Sequence, residues 1–523
     1  MSTVLRLQVF RRADVAFAIG VILILLITSV FVTRYYLQDS GIPDVVGYRQ
    51  ATYQLARGEG LDYASSQASL TPTYNTLMAF KTRRPGHLRP SFSFPPGLPL
   101  LLAPVALLSD APAAIHIGMG MLGLVALLSV ALILRQLTTP LLALLGTVMV
   151  AGTPLWLEHA TAYWSEIPSA AVIYGGCALY GWQHSRPGRW STIVCSVAGI
   201  LVGYSVLIRT ANLFLVPAFV LIPWGYATAN CVDRGSRWAF WTGLASTILG
   251  VLLFHQFYFG GPLRTGYTPG ANGGYSFPLF SLTYLLNPQR SGYHLLVTLW
   301  DNLGWLLVLL VPAFATRAWR RQLPWLTLIA GTFIPYAVYF FPATGVNGRF
   351  ILISLPALCA LLVQGAEALR PRIRHRAIRG TGMIVLVVLA LWRVPATMHH
   401  LETRNRSNQA TLEMIMGVAQ TMPPNAVVIS YLVNDVMSVY GQRAVLNYRT
   451  MPMYDPQTRK YNYGVVATTL TESVQALLDA EIPVYYVRDQ TPPLYNSEAI
   501  LEATFTLEPV PAALPLFRVV ARP

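Results

Sequence analysis

Arg370-Pro-Arg372-Ile-Arg374-His-Arg376-Ala-Ile-Arg379-Gly-Thr-Gly-Met-Ile-Val-Leu-Val-Val-Leu-Ala-Leu-Trp392 places five arginines immediately before an uninterrupted apolar run. Hydrocarbon excludes guanidinium groups, and short loops rich in Arg stay on the cytoplasmic side of a membrane. The stretch therefore reads as an inside loop feeding a span over 380–396. The rest of the composition agrees with lipid as the main solvent. Of 523 residues, 54% are hydrophobic and 11% charged, against roughly 25% charged in soluble chains. The net charge of +15 sits in short Arg clusters between apolar runs, a pattern of membrane loops rather than of nucleic-acid binding.

A span needs about 20 mostly apolar residues. Reading outward on that rule gives about eleven runs, at 14–34, 113–134, 141–157, 168–184, 191–208, 211–225, 238–257, 293–316, 323–341, 349–369 and 380–396. With the N-terminus inside, the cytoplasmic segments hold Arg6, Arg11 and Arg12; Arg135; Arg186 and Arg189; Arg234 and Arg237; Arg317, Arg320 and Arg321; and the five arginines quoted above. Every inside loop then carries arginine, and residues 397–523 fall outside. The first run is too long for a secretion signal and no A-x-A site follows it, so it reads as a retained anchor. The scarcity of lysine beside arginine is the habit of a GC-rich bacterium, which points to a bacterial inner membrane.

Two outer loops are large, 35–112 and 258–292. The first includes Phe94-Pro95-Pro96-Gly97-Leu98-Pro99 and a short apolar stretch to Leu108, which suits a re-entrant or interfacial helix. From Leu401 the sequence becomes water-compatible. Ala426–Ser430, Ala444–Tyr448 and Pro483–Val487 read as strands, Thr469–Ala480 as a helix, and Phe505–Pro509 with Leu516–Val520 as a closing pair. This is a small α/β domain without a Gly-rich phosphate loop. The expected organisation is a transmembrane domain over 1–396 and an extracytoplasmic domain over 397–523. Cys177, Cys195, Cys231 and Cys359 show no CxxC pair or metal spacing and read as small apolar residues.

Charges at the membrane boundary are costly unless used or paired. Asp44 stands in Gly41-Ile-Pro-Asp44-Val-Val-Gly-Tyr48, beyond the first span. Glu166 stands in His159-Ala-Thr-Ala-Tyr-Trp-Ser-Glu166-Ile-Pro168, at the outer start of the fourth. A lone acid in such a place is ordinarily solvated or caps a helix, and Glu166 can also cap the fourth helix at its positive end. Two acids at one mouth, beside aromatics, read as working groups. Arg209 after Val206-Leu-Ile, Arg264 in Gly260-Gly-Pro-Leu-Arg264-Thr-Gly-Tyr267, and Arg349 after Asn347-Gly348 add three outer arginines. One such arginine would snorkel to headgroups. Three against the positive-inside bias read as a phosphate clamp, since the planar fork meets phosphate oxygens in pairs. Lys81-Thr-Arg83-Arg84 with Arg89 reads as a headgroup-facing surface.

In order and topology these motifs resemble the GT-C superfamily of membrane glycosyltransferases, particularly protein O-mannosyltransferases and the lipid A aminoarabinose transferase. The matching positions are Asp44-Val-Val-Gly-Tyr48, the proline-rich Phe94–Pro99, Glu166, Arg209, and Gly348-Arg349-Phe350 with Pro356, over about residues 10–396. Val45 stands where relatives often carry a second acid, which removes one of the two ligands that pair would offer a metal. Glu166 stands where they often carry Asp.

The resemblance implies a polytopic α-helical GT-C-like protein of about eleven spans with a small α/β domain. It implies an inverting transferase fed by a polyprenyl-phosphate sugar, acting on a glycan, lipid or protein hydroxyl at the outer face. Asp44 and Glu166 would be the catalytic acids, Arg209, Arg264 and Arg349 the donor-phosphate ligands, and Tyr48, His159 and Tyr267 the substrate contacts. A divalent cation (Mg, Mn or Ca) is admitted as cofactor without fixed ligands. A transporter or flippase of lipid-linked sugars is the main alternative, and a non-catalytic scaffold is another; no internal repeat supports the transporter. Reporter fusions at Arg374 and Arg443 are expected to lie on opposite sides of the membrane, and the same side for both would break this topology.

Overall fold

The computed structural model describes residues 3–36, 43–58, 60–61, 95–109, 112–185, 190–225, 234–263, 265, 280–285, 287, 291–315, 319–339, 345–373, 375–430, 437, 441, 443–446, 453–455, 460–462, 464–488 and 497–522. The chain divides into two compact units. One comprises Met1–Tyr36, Ile115–Val251 and Leu279–Glu402, and the other Leu37–Ala114, Leu252–Pro278 and Thr403–Pro523.

Helices come first along the chain: α1 Thr3–Arg34, α2 Pro43–Ala56, α3 Gly97–Leu108, α4 Pro112–Leu137, α5 Pro140–Gly152, α6 Pro154–Ala160, α7 Glu166–Ser185 and α8 Ser191–Ile208. A 3₁₀ segment Thr210–Leu215 leads to α9 Val216–Gly225 and α10 Arg234–Phe259. Then follow α11 Ser291–Leu303, a 3₁₀ segment Gly304–Leu309, α12 Leu310–Phe314, α13 Trp319–Ala337, a 3₁₀ segment Gly345–Ser354, α14 Leu355–Leu369, α15 Arg376–Leu391 and α16 Val394–Gln420.

Within the described residues all eleven apolar runs are largely helical, and the chain is a multi-pass membrane protein. Among the described residues seven helices are long and apolar enough to cross a bilayer unaided: Arg12–Arg34, Ala113–Leu137, Ser191–Ile208, Arg234–Phe259, Gly292–Phe314, Asn347–Leu369 and Ala377–Gln420. The pair α5–α6, bent by 65°, makes an eighth. The three other runs fall short of that standard for physical reasons. Helix α7 carries Glu166, Ser169 and Gln183, all buried, so its surroundings are protein and it does not need a lipid-compatible surface. The stretch Thr210–Gly225 is short, and α13 opens on Arg320, Arg321 and Gln322, which lower its mean apolar character. The last run also does not stop at 396: the helical stretch continues to Gln420.

The first unit owes its close packing to small residues. A Cβ on Gly199 of α8 would lie 2.0 Å from the Phe240 carbonyl oxygen, and one on Gly243 of α10 would lie 2.2 Å from that of Ser196. The two helices therefore cross backbone to backbone, the usual device where lipid offers no hydrophobic drive to associate. At one end of the bundle Arg135 on α4 pairs with Asp14 on α1 at 2.8 Å. Tyr174 on α7 donates to the Ile353 carbonyl at 2.6 Å.

In the second unit α2 packs on α3, with Val45, Tyr48 and Ala51 buried on the former and Leu98, Leu102 and Ala106 on the latter. The C-terminal strands are β1 Val427–Ile429, β2 Ala444–Leu446, β3 Met453–Asp455 and β4 Lys460–Asn462, then helix α17 Gly464–Asp479, β5 Val484–Val487, helix α18 Ser497–Thr504, β6 Phe505–Val510 and β7 Leu516–Ala521. Strands β2-β1-β5-β7-β6 form one sheet, parallel across β2-β1-β5 and antiparallel across β5-β7-β6. Strands β1 and β5 are apolar at every position because both faces are covered. Val427, Ile429, Val484 and Tyr486 meet Leu470, Val474 and Leu501, while Val428, Tyr485 and Val487 meet Ile415 and Val418 of α16. Arg443 donates to the Ala419 and Met422 carbonyls at 2.8 and 2.9 Å, neutralising the end of α16. The stretch between β1 and β2 lies mostly outside the described residues.

Gly199→Ala is expected to destabilise the purified protein by about 1–3 kcal/mol through overpacking, seen as a lower melting temperature. Gly250→Ala meets nothing within 4 Å and should leave it unchanged or higher; equal melting of both variants would refute the close crossing.

Candidate active site

Three breaks in helical geometry meet in the first unit. Helix α6 closes at Thr161, whose hydroxyl donates to the Leu157 and Glu158 carbonyls at 3.1 and 3.0 Å. The chain runs on without helix to Ser165, and α7 starts at Glu166. Helix α8 stops at Arg209, whose backbone is extended at φ −142° and ψ 111°. Asn212 pins that break: its side-chain amide donates to the Ser205 carbonyl at 2.9 Å and to the Ser169 hydroxyl of α7. Arg349 sits in the 3₁₀ segment Gly345–Ser354 that precedes α14.

These breaks bring together three of the residues singled out in the sequence. The Glu166 carboxylate is 2% exposed. Its Oε1 is ion-paired to Arg209 Nη1 and lies 3.5 Å from Arg349 Nε. An isolated carboxylate buried so deeply costs several kcal/mol, and two guanidinium groups more than offset its charge. Two guanidiniums thus face one carboxylate. Glu166 Oε2 is buried with no hydrogen-bond partner among the described residues.

Aromatic rings hold both guanidiniums. Arg209 Nη2 donates to the Tyr336 hydroxyl at 3.0 Å. Tyr336 stacks on Phe350 with ring centroids 4.5 Å apart and planes 8° apart. The Arg349 guanidinium lies over Trp164, 3.9 Å from the ring centroid, a cation–π contact that fixes the plane of the fork. His159, buried on α6, is next to Trp164 at 6.1 Å between centroids. Its Nδ1 donates to the Leu155 carbonyl at 2.8 Å. Sequence reasoning passed over Tyr336, and it met Trp164 and Phe350 only inside motifs, without a role of their own. The available signal was weak: Pro335-Tyr336 ends a span near the membrane boundary, where interfacial tyrosines are common anyway.

The remaining candidates belong to the second unit. Asp44 lies in the first turn of α2, and its side chain is outside the described residues, as are Arg264 and Tyr267. Tyr48, one turn beyond Asp44, is buried, as is Arg49 beside it. Among the described residues no three His, Cys, Asp or Glu side chains converge as metal ligands. Glu166 is already shared by two cations, and a divalent ion does not fit that surrounding.

No protein-family model and no curated protein sequence matches the chain. Solved structures do. ArnT from Cupriavidus metallidurans bound to undecaprenyl phosphate aligns at TM-score 0.58 and 11% identity, covering 97% of each chain. The same protein in the apo state aligns at TM-score 0.59 and 11% identity, over 97% of this chain and 98% of that one. The archaeal oligosaccharyltransferase AglB from Archaeoglobus fulgidus, in complex with an inhibitory peptide and a dolichol-phosphate, aligns at TM-score 0.52 and 11% identity over 89% of this chain and 69% of its own. At such identity the likeness speaks for the fold, and both are GT-C glycosyltransferases. The long apolar helices, the small C-terminal sheet and these alignments agree: the chain has the GT-C fold.

Proposed function

We propose that this chain is an inverting glycosyltransferase that moves a sugar from a polyprenyl-phosphate donor to an acceptor hydroxyl at the outer face of a bacterial inner membrane. The observation that carries the reading is the sharing of Glu166 Oε1 by Arg209 and Arg349. Support also comes from two structures of like fold, one bound to undecaprenyl phosphate and one to a dolichol-phosphate.

A sugar phosphodiester carries one negative charge, and the polyprenyl phosphate released from it carries close to two. Negative charge on the phosphate therefore grows as the sugar–oxygen bond breaks. Two guanidiniums held rigid by Tyr336 and Trp164 bind the transition state better than the ground state, which is the requirement for faster chemistry. Arg209 and Arg349 hold the phosphate, with Arg264 as a third ligand. Glu166, expected as a second catalytic acid, is a positioning residue in this scheme: it aligns the two guanidiniums and tempers their charge.

The acceptor oxygen attacks the anomeric carbon, the bond from that carbon to the phosphate oxygen breaks, and the phosphate leaves with the electron pair. Attack and departure on opposite sides invert the centre. The acceptor proton passes to the Asp44 carboxylate. With an ordinary pKa near 3.9 that carboxylate takes the proton late, after charge has developed on the attacking oxygen. Because a phosphate leaves as a stable anion, no acid is needed to protonate it, unlike the alkoxide of a glycosidase. Tyr48, His159 and Tyr267 contact the sugar and acceptor, which is a glycan, lipid or protein hydroxyl.

The purified protein, incubated with a panel of radiolabelled polyprenyl-phosphate sugars, should move label from at least one of them to acceptor; release from none would sink the reading. Asp44→Asn should cut transfer by about 100-fold or more, the contribution of a positioned base, with elution and melting unchanged. Arg209→Ala should lower kcat/KM for donor by about 10- to 100-fold, the value of a charge-assisted hydrogen bond. Arg209→Lys should recover part of that loss. An unaltered donor dependence in Arg209→Ala would remove this residue from the clamp.

A further inference from the structure

One end of the first unit carries aromatic and cationic groups that the transfer reaction does not use. Trp224 near the end of α9 and Trp238 near the start of α10 are 43% and 65% exposed. Both meet Trp241, at 5.6 and 5.5 Å between ring centroids. Trp241 is itself fixed, its Nε1 donating to the Val220 carbonyl at 3.2 Å. This row continues onto α13. A Cβ on Gly225, the last residue of α9, would lie 2.7 Å from Pro324 and 3.8 Å from the Arg321 carbonyl oxygen. From α13 it passes to α14, since Gln322 Nε2 donates to Gln364 Oε1 at 3.3 Å and to the Ala313 carbonyl at 3.0 Å. Helix α14 then ends at exposed Arg370, with exposed Arg372 just beyond and exposed Arg321 on the neighbouring helix.

Three ordered tryptophans thus adjoin three exposed arginines along one belt. Among the described residues part-buried Glu367, three residues before Arg370, offsets one of the three charges. The helix surfaces leading up to the belt are apolar and exposed, as at Ile193, Val220 and Leu249, so lipid chains cover them and the belt meets the headgroups. Tryptophan prefers that depth, and the guanidinium fork matches a phosphodiester.

We infer that this belt is a docking surface for an anionic phospholipid, its phosphodiester held by Arg321, Arg370 and Arg372 and its glycerol region seated on the tryptophans. The site is separate from the Glu166 cluster and does not rest on the transferase reading. It makes the lipid retained at this end of the bundle depend on headgroup charge. Each arginine near an anionic surface is worth about 5-fold in affinity.

The test uses the full chain in nanodiscs of phosphatidylcholine, with phosphatidylglycerol titrated in and binding followed by native mass spectrometry and melting temperature. The expected result is preferential retention of phosphatidylglycerol and a rise in melting temperature. The preference should weaken as salt is raised and fall about 100-fold in the triple variant R321Q, R370Q, R372Q. Equal retention of the two lipids by the wild type would overturn the inference, as would a preference indifferent to salt. A triple variant that elutes and melts as the wild type does in phosphatidylcholine, yet keeps the preference, would also overturn it. Soluble glycerol phosphate competing as well as the lipid would show that the belt reads free phosphate and not a membrane.

Discussion

A buried carboxylate shared by two guanidiniums fixes more of this protein than any other contact. Removing Glu166 would set two guanidiniums against each other in a water-poor setting without their shared carboxylate, a defect of the kind worth about 3–5 kcal/mol for a buried pair. Each partner therefore holds its own stretch of chain in place. Glu166 fixes where α7 begins, Arg209 where α8 stops, and Arg349 how the 3₁₀ segment before α14 runs. Those three places are also where regular helix gives way. Backbone irregularity at membrane depth is tolerated only where protein or a water-filled cavity surrounds it, and the ion cluster makes such a place. Asn212, Tyr336 and Trp164 then restrict the remaining freedom of the arginines.

Around that cluster lipid sets the rules for the remaining helices. Leu, Ile and Val are exposed along α1, α4 and α10 because hydrocarbon, not water, is their neighbour. Inside the bundle the driving force is close packing, and glycine supplies it where α8 crosses α10. Helix α7 is the exception that shows the boundary between the two regimes. Enclosed by protein, it carries acid, hydroxyls and an amide that a lipid-facing span would not tolerate. The sheet of the C-terminal stretch follows the rules of water instead, with apolar residues inward on two faces and helices over both.

How much of this could be read from the residues alone depended on distance along the chain. The helix after the arginines of 370–379 was legible because an uninterrupted apolar run of that length suits lipid whatever the packing. Strands β1 and β5 were legible because double burial leaves continuous apolar runs. Glu166, Arg209 and Arg349 were legible as candidates because each is an ionic group at a span end. Their union was not, since Arg349 lies 140 residues after Arg209 and only packing sets who meets whom. The same holds for Tyr336 beside Arg209, and for the bend at Thr153, where Asn302 caps the Leu155 amide at 2.8 Å from a distant helix. The helical stretch past 396 was missed for a different reason. Its residues are amphipathic and water-compatible, so polarity suggested a new domain where the backbone simply continues. Asp44 is placed on α2, but its carboxylate, with Arg264 and Tyr267, lies beyond the described residues.

The order in which the ion cluster's members leave the ribosome carries a consequence for biogenesis. Helices α7 and α8 are adjacent in the chain, so Glu166 and Arg209 enter the membrane at opposite ends of one hairpin and can neutralise each other as soon as it folds back. The nascent chain thus never has to leave a bare carboxylate in the lipid while it waits for later spans. Arg349 arrives only after four more helices, α9 to α13 with the short α12 counted as part of one span, have been made. The second guanidinium is then the last member the cluster acquires, so the half-made bundle carries a single ion pair at the place where the finished one sets two arginines on one carboxylate.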